Sequence, residues 1–255
     1  MGLDLNEIAE HVSDSTEFVM PMVEVHLPKV LGFQITRFMV LELAVAGLML
    51  AVFIPYARRV ADGQRPRGKF WNMIDAMVLF LRDSVGRPSI GEKDADRFMP
   101  FVWTMFFFIL FCNLIGLLPW TGSPTSSLMV TLSLAVLAFT TVIGAGMFKF
   151  GPIGYFTSIV PHIDAGRLLN IFLIPMLFVI ELAGLCIKHF VLAVRLLANM
   201  FAGHLVLAVI VGFIGMVANA ALVLCVGVTV SSVLGAAALS LLELLVAFLQ
   251  AYIFA

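Results

Sequence analysis

The sequence predicts an all-α membrane protein: one or more vertical transmembrane helices, an interfacial amphipathic helix, a helical hairpin and two long, strongly tilted antiparallel helices. Three observations predict it. Hydrophobic residues make up 62% of the 255 and charged ones only 12%, whereas a soluble domain is about half apolar. Several apolar runs have the length of about twenty residues that carries a helix across a roughly 30 Å hydrocarbon layer. Two runs toward the C-terminus are far longer than one such crossing needs. All 255 residues are therefore read as a single integral membrane domain.

Residues 1–37 form an outer N-terminal segment. Asp4, Glu7, Glu10, Asp14, Glu17 and Glu24 make it acidic, unlike a signal peptide with its basic start or a transit peptide with its arginines. MGLDLN also has no Ser or Thr at the sixth position that myristoylation uses. Residues 38–56 are the first span, with Glu42 near one end and Pro55 closing the other. ARRVADGQRPRGK follows, where Arg58, Arg59, Arg65, Arg67 and Lys69 outnumber Asp62. Basic loops stay on the cytoplasmic side, which puts the N-terminus outside. Within this loop GQRPRGKF fits G-x-x-x-x-G-K, but Phe70 stands where a phosphate loop needs Ser or Thr, and a span precedes it instead of a strand. Nucleotide binding is not expected there.

Residues 70–85 place Phe70, Trp71, Met73, Ile74, Met77, Val78, Leu81 and Val85 on one face, the pattern of a helix lying flat at the inner interface. The hairpin follows over 98–148, its arms 98–119 and 126–148 joined by the uncharged PWTGSPTSS. MFFFILF in its first arm is expected to face lipid. The small residues of AGAGMF and GAAAL suit close helix contact. The charged stretches 82–97 and 149–167 are expected as inner loops, and 119–127 and 211–220 as outer turns.

The tilted pair occupies 168–254. From Leu168 to about Val211 the breakers are Pro175, Gly184 and Gly203, and KHFVLAVRLL has no loop chemistry that would hinge two ordinary spans at Lys188 and His189. At 1.5 Å per residue such a helix is roughly twice as long as the bilayer is thick. The run from about Val217 to Phe254 is similarly long and free of proline.

Polar residues on these two helices carry the functional signal. Glu181, Lys188, Arg195 and Asn199 fall within about 40° of one line at 100° per residue, a polar stripe on an apolar helix. His204 is about 13 Å beyond Arg195 and turned by about 180°, so it faces a different compartment. Glu243 and Gln250 share a face of the last helix. An antiparallel pair with its turn near residue 223 sets Arg195 opposite Gln250 and His204 opposite Glu243, the residue numbers adding to 445 and 447. In that register the chain end leaves Glu181 and Lys188 uncovered on the inner side.

A charge at mid-membrane costs about 2.5 to 3.5 kcal/mol on insertion scales. Arg195 is too far from either boundary to snorkel to water, so a functional role outweighs a structural one. A His–Glu couple in a low-dielectric setting suits proton relay, though a plain interhelical contact is its alternative. Asn199 and Gln250 could serve only as interhelical hydrogen-bond glue, and Asn113, alone in its span, is open between the two roles. Glu42, His189 and the methionines are read as interfacial or packing positions. Cys112, Cys186 and Cys225 have no metal or redox spacing. No cofactor and no metal is expected, and the net charge of -1 points to no nucleic-acid partner.

VRLLANMFAGHL (194–205), together with EL-x-x-x-x-LQAYIF in the last helix, FCNLIGLLP in the second span and LIPMLFVIEL at the start of the long helix, resembles subunit a of the membrane sector of rotary proton-translocating ATP synthases. The resemblance covers most of the chain. It implies a non-catalytic stator subunit that forms two proton half-channels and serves the buried carboxylates of a c-subunit ring. By that resemblance Arg195 matches the essential stator arginine, with Asn199 and Gln250 its companions. His204 and Glu243 stand in the reciprocal, mitochondrial-type arrangement, and Gly116 stands where some members carry an acid. The implied proton-translocation set is Arg195, His204, Glu243, Asn199, Gln250, Glu181, Asn113 and Lys188. The implied partners are the c-ring, peripheral-stalk b subunits, other synthase subunits, membrane lipid and protons. The implied location is a bacterial plasma (inner) membrane, in preference to a mitochondrial one, with the N-terminus outside and the C-terminus cytoplasmic. A secondary transporter using the intramembrane Arg, His and Glu is the alternative, but such proteins show related halves with broken helices, and neither is evident.

Overall fold

A computed structural model describes residues 17–20, 23–26, 29–30, 33–34, 36–63, 68–118, 122–159, 167–217 and 222–255. The chain is an all-α membrane protein, and among the described residues five helices are long and apolar enough to cross a bilayer: Arg37–Ala61, Asp94–Gly116, Leu128–Phe150, Phe172–Val217 and Leu224–Phe254. It divides into two compact units, Met1–Ser126 with Asn199–Ala255, and Ser127–Ala198.

In the first unit, two short antiparallel hairpins precede the helices. Strand β1 (Glu17–Met20) pairs with β2 (Val23–His26) and β3 (Lys29–Val30) with β4 (Phe33–Gln34), with Phe18 opposite Val25 and Val30 opposite Phe33. Sequence reading missed these hairpins inside the acidic segment. Helix α1 runs Arg37–Ala61. Pro55 lies inside it instead of closing it, and Arg58 and Arg59 form its last turn, where positive charge complements the helix dipole. Of the phosphate-loop-like stretch, residues 64–67 lie outside the described residues.

Helix α2 (Lys69–Phe80), a π-helical segment (Leu81–Gly86) and α3 (Arg87–Ile90) form one continuous run, ended at Gly91 by a positive φ of 95°. The next helix, α4, begins at once and spans Glu92–Gly116. The expected inner loop at 82–97 is therefore helical. Its charges are satisfied on helix surfaces: Arg82 holds Asp96 through two nitrogens at 3.0 and 2.9 Å, and Arg87 pairs with Asp83 one turn away at 3.0 Å. Ile74, Val78 and Leu81 are buried. Trp103 Nε1 donates to the Val78 carbonyl at 3.2 Å, and Tyr56 donates to Asp75 at 2.6 Å. The Tyr56 ring stacks on Trp71, and the Arg59 guanidinium lies 4.6 Å over the Trp71 ring.

Helix α4 is the centre of this unit and packs on α1 and on α8 (Leu222–Phe254). MFFFILF does not face lipid: Met105, Phe106, Phe107, Ile109 and Leu110 are buried. Phe106 meets Phe248 edge-on at 5.6 Å, and Phe107 meets Phe53 at 4.6 Å. Half of α4's apolar window is buried, against about a tenth for α8. Apolarity alone cannot separate these cases, since lipid tails and core side chains present the same solvent to a phenylalanine.

Helix α7 spans Arg167–Val217, 51 residues, or about 75 Å at 1.5 Å per residue. Its part beyond Asn199 belongs to the first unit and runs antiparallel to α8. A Cβ at Gly203 would strike the Glu243 carboxylate, and one at Gly235 would reach Ile210 at 4.0 Å. These pairs add to 446 and 445, within the range of the expected register. Residues 211–217 are helical, so the outer turn is shorter than 211–220. What connects the helices, 218–221, lies outside the described residues.

The second unit holds α5 (Leu128–Phe150), α6 (Pro152–Ile159) and the first part of α7. The stretch expected as an inner loop at 149–167 contains α6. Gly151, at φ 74°, ends α5, and Pro152 starts α6, where its missing N–H costs nothing. Gly146 is seated against the Tyr155 ring, whereas Gly144 has nothing within 4 Å. Helix α7 continues unbroken through Pro175, Lys188 and His189. His189 is a packing residue, its Nδ1 2.9 Å from the Leu185 carbonyl oxygen and its ring edge-on to Phe139 at 5.3 Å.

Candidate functional site

The last turn of α4 brings Asn113 into the first unit's interior, where it is 0% exposed. A short 3₁₀ turn, Pro124–Ser126, folds back against it. Thr125 donates to Asn113 Oδ1 at 2.7 Å, and the Ser123 and Thr125 hydroxyls are 2.6 Å apart. Ser126 closes the turn, its hydroxyl and its backbone N–H both donating to the Ser123 carbonyl at 2.7 and 3.0 Å. Gly116 makes this approach possible, because a Cβ there would strike Ser123 and Met200. Gly122 faces Arg37 in the same way, at a φ of 67° that favours glycine. Arg37, in the first turn of α1, is 5% exposed, and its guanidinium lies 5.5 Å over the Phe38 ring.

His204 is half-buried on α7, and its Nε2 has no hydrogen-bond partner among the described residues. Glu243 is half-buried on α8, its Oε1 against Gly203, the residue before His204, and its Oε2 likewise without a partner. The Glu243 carboxylate is thus seated on α7 at the residue before His204, with no direct hydrogen bond between carboxylate and imidazole. Two titratable groups withdrawn from water with capacity to spare can take up and pass on protons. Gln250, two turns further along α8, is 2% exposed with Oε1 unpartnered. Asn199 is half-buried.

The second unit carries Glu181, Lys188 and Arg195, all exposed, at seven-residue intervals along α7. Beside Arg195, Val191 and Val194 are exposed while Ala193 and Leu196 are fully buried. The arginine therefore projects from a bare apolar face. Sequence reading missed Arg37, Ser123 and Thr125. Their signal was present, as a cation at the start of a span and as hydroxyls in PWTGSPTSS, but nothing in the spacing said that this turn folds inward. Glu42 was read as interfacial, and its charge acts on the buried Cys112.

The family model of the ATP synthase A chain matches residues 39–255. Among curated proteins, the chain is similar to ATP synthase subunit a of Myxococcus xanthus, 37% identical over 88% of this chain and 70% of the relative. It is 39% identical to that of Chloroherpeton thalassium, over 96% of this chain and 72% of the relative. A subunit a of Anaeromyxobacter dehalogenans is 41% identical over 74% of this chain, which spans about half of that longer relative, 47%. The secondary-transporter alternative finds no support among these relatives. With a family model matched over most of its length and relatives of this similarity, the chain belongs to the ATP synthase A chain family, the proton-translocating stator subunit a.

Proposed function

We propose that Arg195 is the barrier between two proton half-channels, one reaching His204 and Glu243 past Asn113 from the outer side and one leaving past Glu181 and Lys188 on the inner side. Helix α7 carries all of these but Asn113 and Glu243, and its axial spacing sets the inner and outer groups well apart. The carrying observation is that Arg195 is exposed on an apolar helix long enough to cross a membrane. Among the described residues no carboxylate pairs with it, and a ring of c subunits with buried carboxylates would supply the ionic counterpart such a charge needs. Always protonated, the guanidinium attracts an ionised ring carboxylate and favours its deprotonation, yet passes no proton across itself. By the resemblance to the family, Asn199 and Gln250 are its companions. Each charge crossing yields about 2.3 kcal/mol per 100 mV, which becomes rotation only when the two paths stay separate.

In this reading the subunit is non-catalytic and binds no cofactor. It works beside peripheral-stalk b subunits and the other subunits of the synthase. It lies in a bacterial plasma membrane with its N-terminus outside and its C-terminus cytoplasmic. Copurification tests the partner: a small, very apolar two-span protein present in many copies beside this chain supports the reading, and a chain that purifies from its native membrane as a lone functional transporter contradicts it.

A further inference from the structure

The buried turn at 122–126 has a directed hydrogen-bond order. Thr125 has one hydroxyl proton and gives it to Asn113 Oδ1. The bond between the two hydroxyls must then be donated by Ser123. The chain runs Ser123 to Thr125 to Asn113 and stops at a carbonyl-type oxygen that does not relay protons onward. What it accomplishes is orientation. With Oδ1 fixed, the amide's Nδ2 points elsewhere, and that nitrogen is fully buried with no partner among the described residues. A buried donor left unmade is costly, so it marks a place for a hydrogen-bond acceptor of small size.

Two contacts place this turn. Ser123 fills the space at Gly116 next to Met200, one helical turn before His204. Gly122 seats the buried Arg37 guanidinium. Ser123, Thr125 and Asn113 are all 0% exposed.

We infer that Ser123 and Thr125 are positioning residues of the outer proton path, locking the Asn113 amide so that its Nδ2–H groups hold a water molecule by its oxygen and turn that water's hydrogens toward the path. This rests on the outer half-channel reading above. A water so held can receive a proton on one side and release one on the other, whereas a freely rotating amide would present its oxygen as often as its nitrogen. No covalent bond is made or broken in the protein, and each proton taken up is balanced by one passed on.

The test uses the intact synthase in vesicles, with ATP synthesis rate measured against outer pH at fixed inner pH and membrane potential. Thr125→Val keeps the shape and removes the donor, and Thr125→Ser restores it. The expected result is an approximately tenfold fall in rate for Thr125→Val, with half-maximal rate shifted to more acidic outer pH. Thr125→Ser is expected to stay near wild type and Ser123→Ala to show a smaller fall of about threefold, all with normal amounts of assembled complex. Wild-type outer-pH dependence in Thr125→Val overturns the inference, as does equal impairment of Thr125→Val and Thr125→Ser. Arg195→Ala measured alongside separates the two failures. If it still couples, the half-channel reading itself fails, and if it is dead while Thr125→Val is normal, only the positioning role fails.

Discussion

Gly203 shows how one missing methyl group shapes the outer site. A Cβ there would occupy the position of the Glu243 carboxylate, so Gly203→Ala is expected to push that group away from its place beside His204. In an otherwise ordinary helix the change would add about 0.5 to 1 kcal/mol of helix stability. We therefore expect normal assembly with proton-driven ATP synthesis reduced about tenfold or more, and wild-type synthesis in Gly203→Ala would show that Glu243 has no fixed position to lose. His204 and Glu243 are expected to couple: in a double-mutant cycle of His204→Ala and Glu243→Gln read on proton flux, the combined effect should be smaller than the product of the two. Simple additivity would separate them. At this scale the sequence made the charged and amide groups proposed for the relay easy to pick out, because polar side chains stand out in an apolar run. It hid Ser123 and Thr125, because hydroxyls in a loop look like any loop until the turn is seen folding onto Asn113. Arg37 was hidden for a similar reason, since a cation at the end of a span usually reaches water.

Among elements, α4 and α5 make the clearest contrast. Phe106 is fully buried in α4, whereas Phe148 at the end of α5 is 89% exposed. Truncating a buried phenylalanine to alanine costs about 3 to 5 kcal/mol through lost burial and a cavity. Phe106→Ala should lower the thermal stability of the detergent-solubilised protein markedly, and Phe148→Ala should leave it nearly unchanged. Equal effects would contradict the central place of α4. Tyr56→Phe, which removes the donor to Asp75, is expected to cost about 1 kcal/mol. Helix existence was legible from apolar length, and the unbroken α7 from the lack of any turn chemistry near Lys188. Two things were not: which helix lies at the centre, and whether charged stretches are loops. Arg82 and Asp96, fourteen residues apart, satisfy each other across a helix break, a pairing that composition cannot foretell.

For the molecule as a whole, the charge asymmetry about α1 makes a topological claim. In a background lacking Cys112, Cys186 and Cys225, a cysteine introduced as Gln64→Cys is expected to react with an impermeant thiol reagent from the inner side of the membrane. One introduced as Ser13→Cys is expected to react from the outer side. The reverse pattern would invert both half-channels. α7 and α8 leave most of their apolar windows uncovered. Arg195, the residue on which the proposed stator role turns, stands exposed on α7. The most direct measurement is therefore coupled ATP synthesis by the assembled complex carrying Arg195→Ala. The account predicts normal assembly with synthesis abolished, while synthesis at the wild-type rate per proton transported would contradict it.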